Sequence, residues 1–184
     1  MLKSKVILLF IAGACSLAAC KTDPAYDRAT QAAIDDNLIK GFIAKNNIPA
    51  KNTKDGLYYQ IIKGQDGTLK IDSLDTVVIH YVGRLLLDNT VLYDSTQNLI
   101  DTIASKIIFG TTIEGWRKGI PLVNPGGKIR LIVPSTMAYQ NRVVSAMPGN
   151  NNMPVFLPAN SILDFNIQFF RVGKFKIKTP QTQN

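Results

Sequence analysis

The residues of this 184-residue chain that could do chemistry are mostly aromatic, and they come with few nucleophiles or metal ligands. His80 is the only histidine, so a metal site built on two histidines cannot form within one chain. Gly126–Gly127–Lys128 lacks the spacing and the Ser/Thr of a phosphate loop. Serines are present, but no histidine–carboxylate arrangement stands ready to activate one. The "LDNT" stretch and the Asp35–Asp36 pair read as solvated charges on a turn and a helix surface. What remains is Tyr81, Tyr93, Trp116, Tyr139, Phe156 and Phe165. Trp116 is the only tryptophan and stands between Gly115 and Gly119 in "TTIEGWRKGIPLV". Viewed alone it belongs in a core. Either it is such a core aromatic, or it floors an apolar binding pocket. Such a pocket needs no metal and no cofactor.

These side chains need elements to hold them. From Asp55 onward the apolar period is two, and "GLYYQIIKGQDG", "DTVVIHYVGRLLLDNTVLYDS", "GGKIRLIVP" and "NSILDFNIQFFRVGKFKI" predict strands. The second segment is a strand pair turning at Leu87–Asp88–Asn89–Thr90. Val77, Ile79 and Tyr81 share one strand face, as do Leu163, Phe165, Ile167 and Phe169. His80 falls opposite Tyr81, as a structural or exposed histidine. Ahead of the strands, "KTDPAYDRATQAAIDDNLIKGFIAKNNIPA" reads as one helix. Asp23 is its N-cap, Pro24 lies in its first turn, and Asn46, Asn47 and Pro49 end it. Its apolar face runs through Ile34, Leu38 and Phe42, continued by Tyr26, Ala29 and Ala33. The helix packs on the following domain or spaces it from a membrane, with dimerisation the lesser reading because a single helix is a small interface. The predicted class is α+β: an antiparallel sheet of about five to six strands wrapped around one short helix near Trp116, with an N-terminal helix in front.

A hydrophobic content of 46% is ample for a core. The net charge of +8 is scattered, with no arginine-rich stripe interleaved with aromatics, which argues for a basic soluble surface over a nucleic-acid partner. The N-terminus is more specific. "MLKSKVILLFIAGACSLAAC" has a basic head, a short apolar run and small residues, the pattern of a secretory signal peptide. A membrane-spanning helix would take about 20 apolar residues. Leu17–Ala18–Ala19–Cys20 resembles a bacterial lipobox, in which cleavage precedes the cysteine and its thiol is acylated. The alternative is a plain secretory signal cut nearby. On the lipobox reading, residues 1–19 are signal peptide and 20–53 a lipidated linker and helix. Residues 54–173 then form the domain and 174–184 a polar basic tail. Cys15 leaves with the signal and Cys20 carries the lipid, so the exported domain holds no staple. The expected place is the cell envelope. Lys21 after the cysteine favours the outer membrane, facing the periplasm, and the expected state is a monomer.

Five ordered blocks between about Asp55 and Val172 resemble the FKBP-type peptidyl-prolyl cis–trans isomerases. They lie within "VIHYVGRLLLDNTVLYDS", "IEGWRKGIPLVNPGGKIRLIVPSTMAY" and "LPANSILDFNIQFF". The resemblance implies a prolyl pocket floored by Trp116 and walled by Tyr81, Phe165 and Ile113. Tyr81, Asp94 and Tyr139 fall to the catalytic set, and Tyr93, Ile113, Trp116, Phe156, Leu157 and Phe165 to substrate binding. It implies that the Tyr139 hydroxyl and the Ile113 amide donate to the peptide, and that Leu157, with Phe156, closes the far side. Gln140 stands where the family has glycine, and the loop over 140–156 is longer than in the minimal domain. The implied partners are proline-containing polypeptides, and the implied activity is isomerisation during folding of exported proteins. A non-catalytic FKBP-like chaperone or interaction lipoprotein is the alternative.

Overall fold

A computed structural model describes residues 25–88, 92–96, 104–146 and 155–175, with residues 92–94, 146 and 155 described by backbone alone. Helix α1 covers Arg28–Lys45; strands β1 (Lys51–Asn52), β2 (Tyr58–Lys63), β3 (Thr76–Leu85), β4 (Leu92–Ser95) and β5 (Ser105–Ile108) follow. Then come the short helix α2 (Glu114–Gly119), β6 (Lys128–Val133), β7 (Val144–Ala146), β8 (Val155–Leu157) and β9 (Leu163–Gly173). The sheet runs β1-β2-β6-β9-β3-β4, with β5 also on β3, and its pairings are antiparallel. β9 covers one edge of β3 along its whole length, while β5 and β4 share the other edge. β7 and β8 pair separately. The expected turn after Leu87 joins β3 to β4, and its tip, 89–91, lies outside the described residues.

Period-two alternation gives the sheet two different faces. Leu163, Phe165, Ile167 and Phe169 of β9 are all buried on the inner face, against Ile129, Leu131 and Val133 of β6 and Val77 and Ile79 of β3. α2 lies against this face because it has no side chain where it touches. A Cβ on Gly115 would come within 2.4 Å of Val133 Cγ1, and one on Gly119 within 2.5 Å of Leu131 Cδ1. The two glycines are four residues apart on one side of the helix, and Trp116 beside them is carried into the core.

The outer face carries α1 on a second core of Ile39, Tyr58, Leu86, Ile132 and Ile162, flanked by Phe42 and Ile43. Here the sequence reading needs correction. The N-cap is Asp27, whose carboxylate accepts from Ala29 N at 2.9 Å, and the helix begins at Arg28; Asp23 lies outside the described residues. The buried stripe runs through Asp35 and Ile39, whereas Ile34 and Leu38 are 47% and 41% exposed. A carboxylate in the middle of the apolar stripe displaced its apparent centre by one position. Asp35 is no surface charge. It is fully buried, and its Oδ2 accepts from Ser135 N at 2.8 Å and Ser135 Oγ at 2.6 Å. Gln31 Nε2 donates to Oδ1 at 2.8 Å. The predicted end of the helix is where it stands: Asn46 is the C-cap, and Asn47 takes a positive φ of 51°.

Candidate active site

A cavity of about 210 Å³ opens between α2, the end of β5 and the inner face of the sheet. Drug-sized ligands occupy pockets of roughly 300–1,000 Å³, so this one suits a ring of side-chain size. Tyr81, Ile113, Trp116, Tyr139 and Phe165 line it, five residues that the sequence had placed together. Ile107, Thr111 and Thr112 complete the lining and were missed.

The floor is a stack of edges on faces. The Trp116 ring meets Tyr81 at 4.8 Å between centroids and 76° between planes, and Phe165 at 5.1 Å and 81°. Edge-to-face pairs of this kind add about 0.5–1.5 kcal/mol each beyond area burial. Phe165 leans over Gly83, its cross-strand partner, where a Cβ would come within 2.4 Å of the ring. Trp116 itself is 6% exposed, and its indole N–H is buried with no acceptor among the described residues. An unsatisfied buried donor costs about 1–3 kcal/mol, which a phenylalanine serving only the core would avoid.

The rim is set by the turn that enters α2. Thr112 is buried, and its hydroxyl donates to Phe109 O at 2.8 Å. Arg117 Nη1 donates to the Thr112 carbonyl. Ile113 is the N-cap, with extended backbone, and its carbonyl accepts from Trp116 N and Arg117 N. The Ile113 N–H has no acceptor among the described residues, so a donor stands beside the aromatic floor. Opposite, Tyr139 follows a tight turn in which Ser135 O accepts from Ala138 N at 3.0 Å and Gln140 N at 2.9 Å. That same Ser135 is held by Asp35, so α1 braces the segment bearing Tyr139 from the outer side. Partial burial alone would raise the Glu114 carboxyl. Hydrogen bonds from Arg28 and Lys118 outweigh that and hold it below its ordinary value.

Two expected lining residues go elsewhere. Phe156 and Leu157 are neighbours on β8 and point to opposite sides. Leu157 is fully buried in the inner core without lining the cavity. Phe156 is 63% exposed and lines a separate groove with Leu38, Leu87 and Ile162. The side chains of Tyr93 and Asp94, and all of Cys20, lie outside the described residues; the β4 backbone pairs Asp94 with Gly83. His80 is structural, within 3.3 Å of Thr96 Oγ1 and edge-on to Phe170.

An antiparallel sheet packed against one short helix, with an aromatic cavity where the two meet, is the architecture that carries this site. The pattern of the FKBP-type peptidyl-prolyl cis-trans isomerases matches residues 67–170, and the chain belongs to this family. A probable FKBP-type peptidyl-prolyl cis-trans isomerase of Haemophilus influenzae is 30% identical over 146 residues, covering 79% of this chain and 54% of the relative. FK506-binding protein 1 of Saccharomyces cerevisiae is 31% identical over 120 residues, 59% of this chain and 96% of that one. The crystal structure of FkpA from Escherichia coli superposes with a TM-score of 0.58 at 27% identity, covering 79% of this chain and 62% of that one. The chain thus spans about half the length of the Haemophilus relative. No helix among the described residues is long and apolar enough to cross a membrane.

Proposed function

We propose that this chain catalyses cis–trans isomerisation of X–Pro bonds in polypeptides exported to the cell envelope. The observation that carries the reading is the Tyr81–Trp116–Phe165 cavity with the Ile113 N–H at its rim. Rotation about the X–Pro bond faces a barrier of roughly 18–20 kcal/mol from amide resonance. At the twisted transition state that resonance is lost, and the carbonyl oxygen carries less negative charge. Water stabilises the planar, more polar ground state better than a dry aromatic wall does. Moving the bond into the cavity therefore favours the twisted form. Trp116 receives the proline ring, the Ile113 N–H holds a peptide carbonyl, and Tyr139 orients the chain from the opposite rim. No proton is transferred and no covalent bond is made or broken. Uncatalysed exchange takes tens to hundreds of seconds, slow enough to hold up a folding client.

A protease-coupled assay on proline peptides, run across several residues preceding proline, tests the activity. Accelerated exchange is expected. A folded protein with no rate above background would leave a binding module without turnover. The envelope placement rests on the Lys3–Cys20 segment. Cys20→Ala is expected to shift the protein from the membrane to the soluble fraction, and unchanged membrane retention would count against a lipid anchor.

A further inference from the structure

Beside the aromatic cavity runs a second groove of about 330 Å³, and the two share Thr111, Thr112, Ile113 and Tyr139. The shared rim gives a chain whose proline fills the cavity a direct path into the groove. An extended chain advances about 3.3–3.6 Å per residue, so its next one or two residues lie in the groove. Three charged side chains line it: Glu114, Arg117 and Arg142. Glu114 is already matched, by Arg28 at 2.9 Å and Lys118 at 3.2 Å. The two arginines are not. Arg117 gives Nη1 to the Thr112 carbonyl, and Arg142 gives Nε to the Tyr139 carbonyl at 3.3 Å. Among the described residues neither has a carboxylate within 4.0 Å. Arg142 is thus tied to the rim by one nitrogen and Arg117 lies against the Thr112 carbonyl, each with further N–H groups left for a ligand. Tethering lowers the entropy lost on binding, and the planar fork matches a carboxylate better than an ammonium would.

We infer that this groove is an acidic-residue subsite: it selects polypeptide clients that carry Asp or Glu within two residues of the proline. The inference deepens the isomerase reading and rests on it. Its test compares peptides identical except for Glu, Gln or Lys at the positions flanking proline on either side. Exchange is followed by two-dimensional NMR, so that protease preference does not enter. Exposed ion pairs are individually weak, and two of them imply a kcat/KM for the Glu peptide about threefold to tenfold above the Gln peptide at low salt. The Lys peptide falls below both. The difference sits mainly in KM and shrinks as added salt shortens the screening length. In Arg117→Gln/Arg142→Gln the Glu-to-Gln ratio drops to about one, whatever the absolute turnover. Should that variant fail to fold, Arg142→Gln alone and the salt dependence of the native protein still report the ratio. Equal rates for Glu, Gln and Lys peptides, with clear turnover, would overturn the subsite and leave the isomerase standing. If no peptide turns over, the isomerase reading fails instead. The Kd ratio of Glu and Gln peptides, from NMR titration, then decides the groove.

Discussion

The two faces of the sheet bury different kinds of chemistry. Inside, α2 and the sheet enclose apolar and aromatic groups, and among the described residues the buried side-chain polar atom left without a partner there is the Trp116 indole nitrogen. Outside, α1 is fastened by charges. Asp35 reaches Ser135, Asp36 accepts from Tyr58 Oη at 2.6 Å, and Arg130 grips Asp164 through two nitrogens at 2.9 and 2.6 Å, beneath Phe42. Apolar packing is tolerant of exchange among shapes of similar volume, whereas a buried carboxylate holds one position or none. The inner face is therefore suited to receiving a guest, and the outer face to keeping the rim of the site in register. On this view α1 belongs to the working domain and is not merely a spacer.

The largest effect is expected at Asp35. Asp35→Ala leaves the Ser135 amide and hydroxyl without their acceptor, and charge-assisted hydrogen bonds of this kind contribute about 1.5–3 kcal/mol. Urea unfolding should show a loss of about 3 kcal/mol, and Asp35→Asn a smaller one. Isomerase activity should fall in the folded fraction as well, because Ser135 shapes the turn before Tyr139. Unchanged stability and activity would make α1 a spacer after all.

Next in size is Gly83→Ala. The added methyl meets the Phe165 ring at 2.4 Å, a contact that one of the two must relieve by moving. Overpacking costs about 1–3 kcal/mol, and here the displaced ring is a wall of the cavity. Thermal melts should fall, and turnover should fall by more than the loss of folded protein explains. Trp116→Leu separates the faces further. Activity is expected to drop about tenfold or more, equivalent to about 1.4 kcal/mol. Stability should fall by no more than about 1–2 kcal/mol: two ring pairs are lost, while the unpaired indole N–H goes with them and the vacated space joins an open cavity. A loss of about 3–5 kcal/mol, typical when a core tryptophan is truncated, would return Trp116 to a purely structural role.

The inner face was the more legible of the two in the sequence. Leu163, Phe165, Ile167 and Phe169 announce their strand by alternation, and all four are buried as that alternation requires. The family resemblance placed Tyr81, Trp116, Tyr139 and Phe165 in one pocket, and all four line the cavity. Phe156 misled because two neighbouring apolar residues on a short strand do not say which one faces inward. Ile107 was invisible as lining because the four-residue strand β5 is too short to show alternation, and Thr111 and Thr112 because the turn before α2 has no periodicity to read. The outer face escaped for a different reason. Asp35 and Ser135 are 100 residues apart, and Arg130 and Asp164 are 34 apart. Nothing local marks a carboxylate that a distant backbone amide will satisfy. A polar residue inside an apolar helical stripe was the one available sign, and it was read as surface.

The smallest effect is on pH dependence, and it too should divide the faces. The hydrogen bond from Lys40, then that from Tyr58, holds the Asp36 carboxyl below its ordinary value. A carboxylate whose pKa is depressed by folding contributes stability that is complete above its unfolded value of about 3.9 and is lost as pH falls through the folded one. Among the described residues the cavity lining contains no carboxylate. Acid should therefore weaken the docking of α1 before it disturbs the aromatic floor. Amide hydrogen exchange near pH 4 and below would show protection lost first in α1 around Asp36, while β6 and β9 stay protected. In Asp36→Asn the stability deficit relative to the native chain should be full near neutral pH and shrink steadily below about pH 4. A deficit that persists unchanged in acid would mean that Asp36 contributes through shape alone, and the contrast between a charged outer face and an apolar inner one would then rest on Asp35 and Asp164.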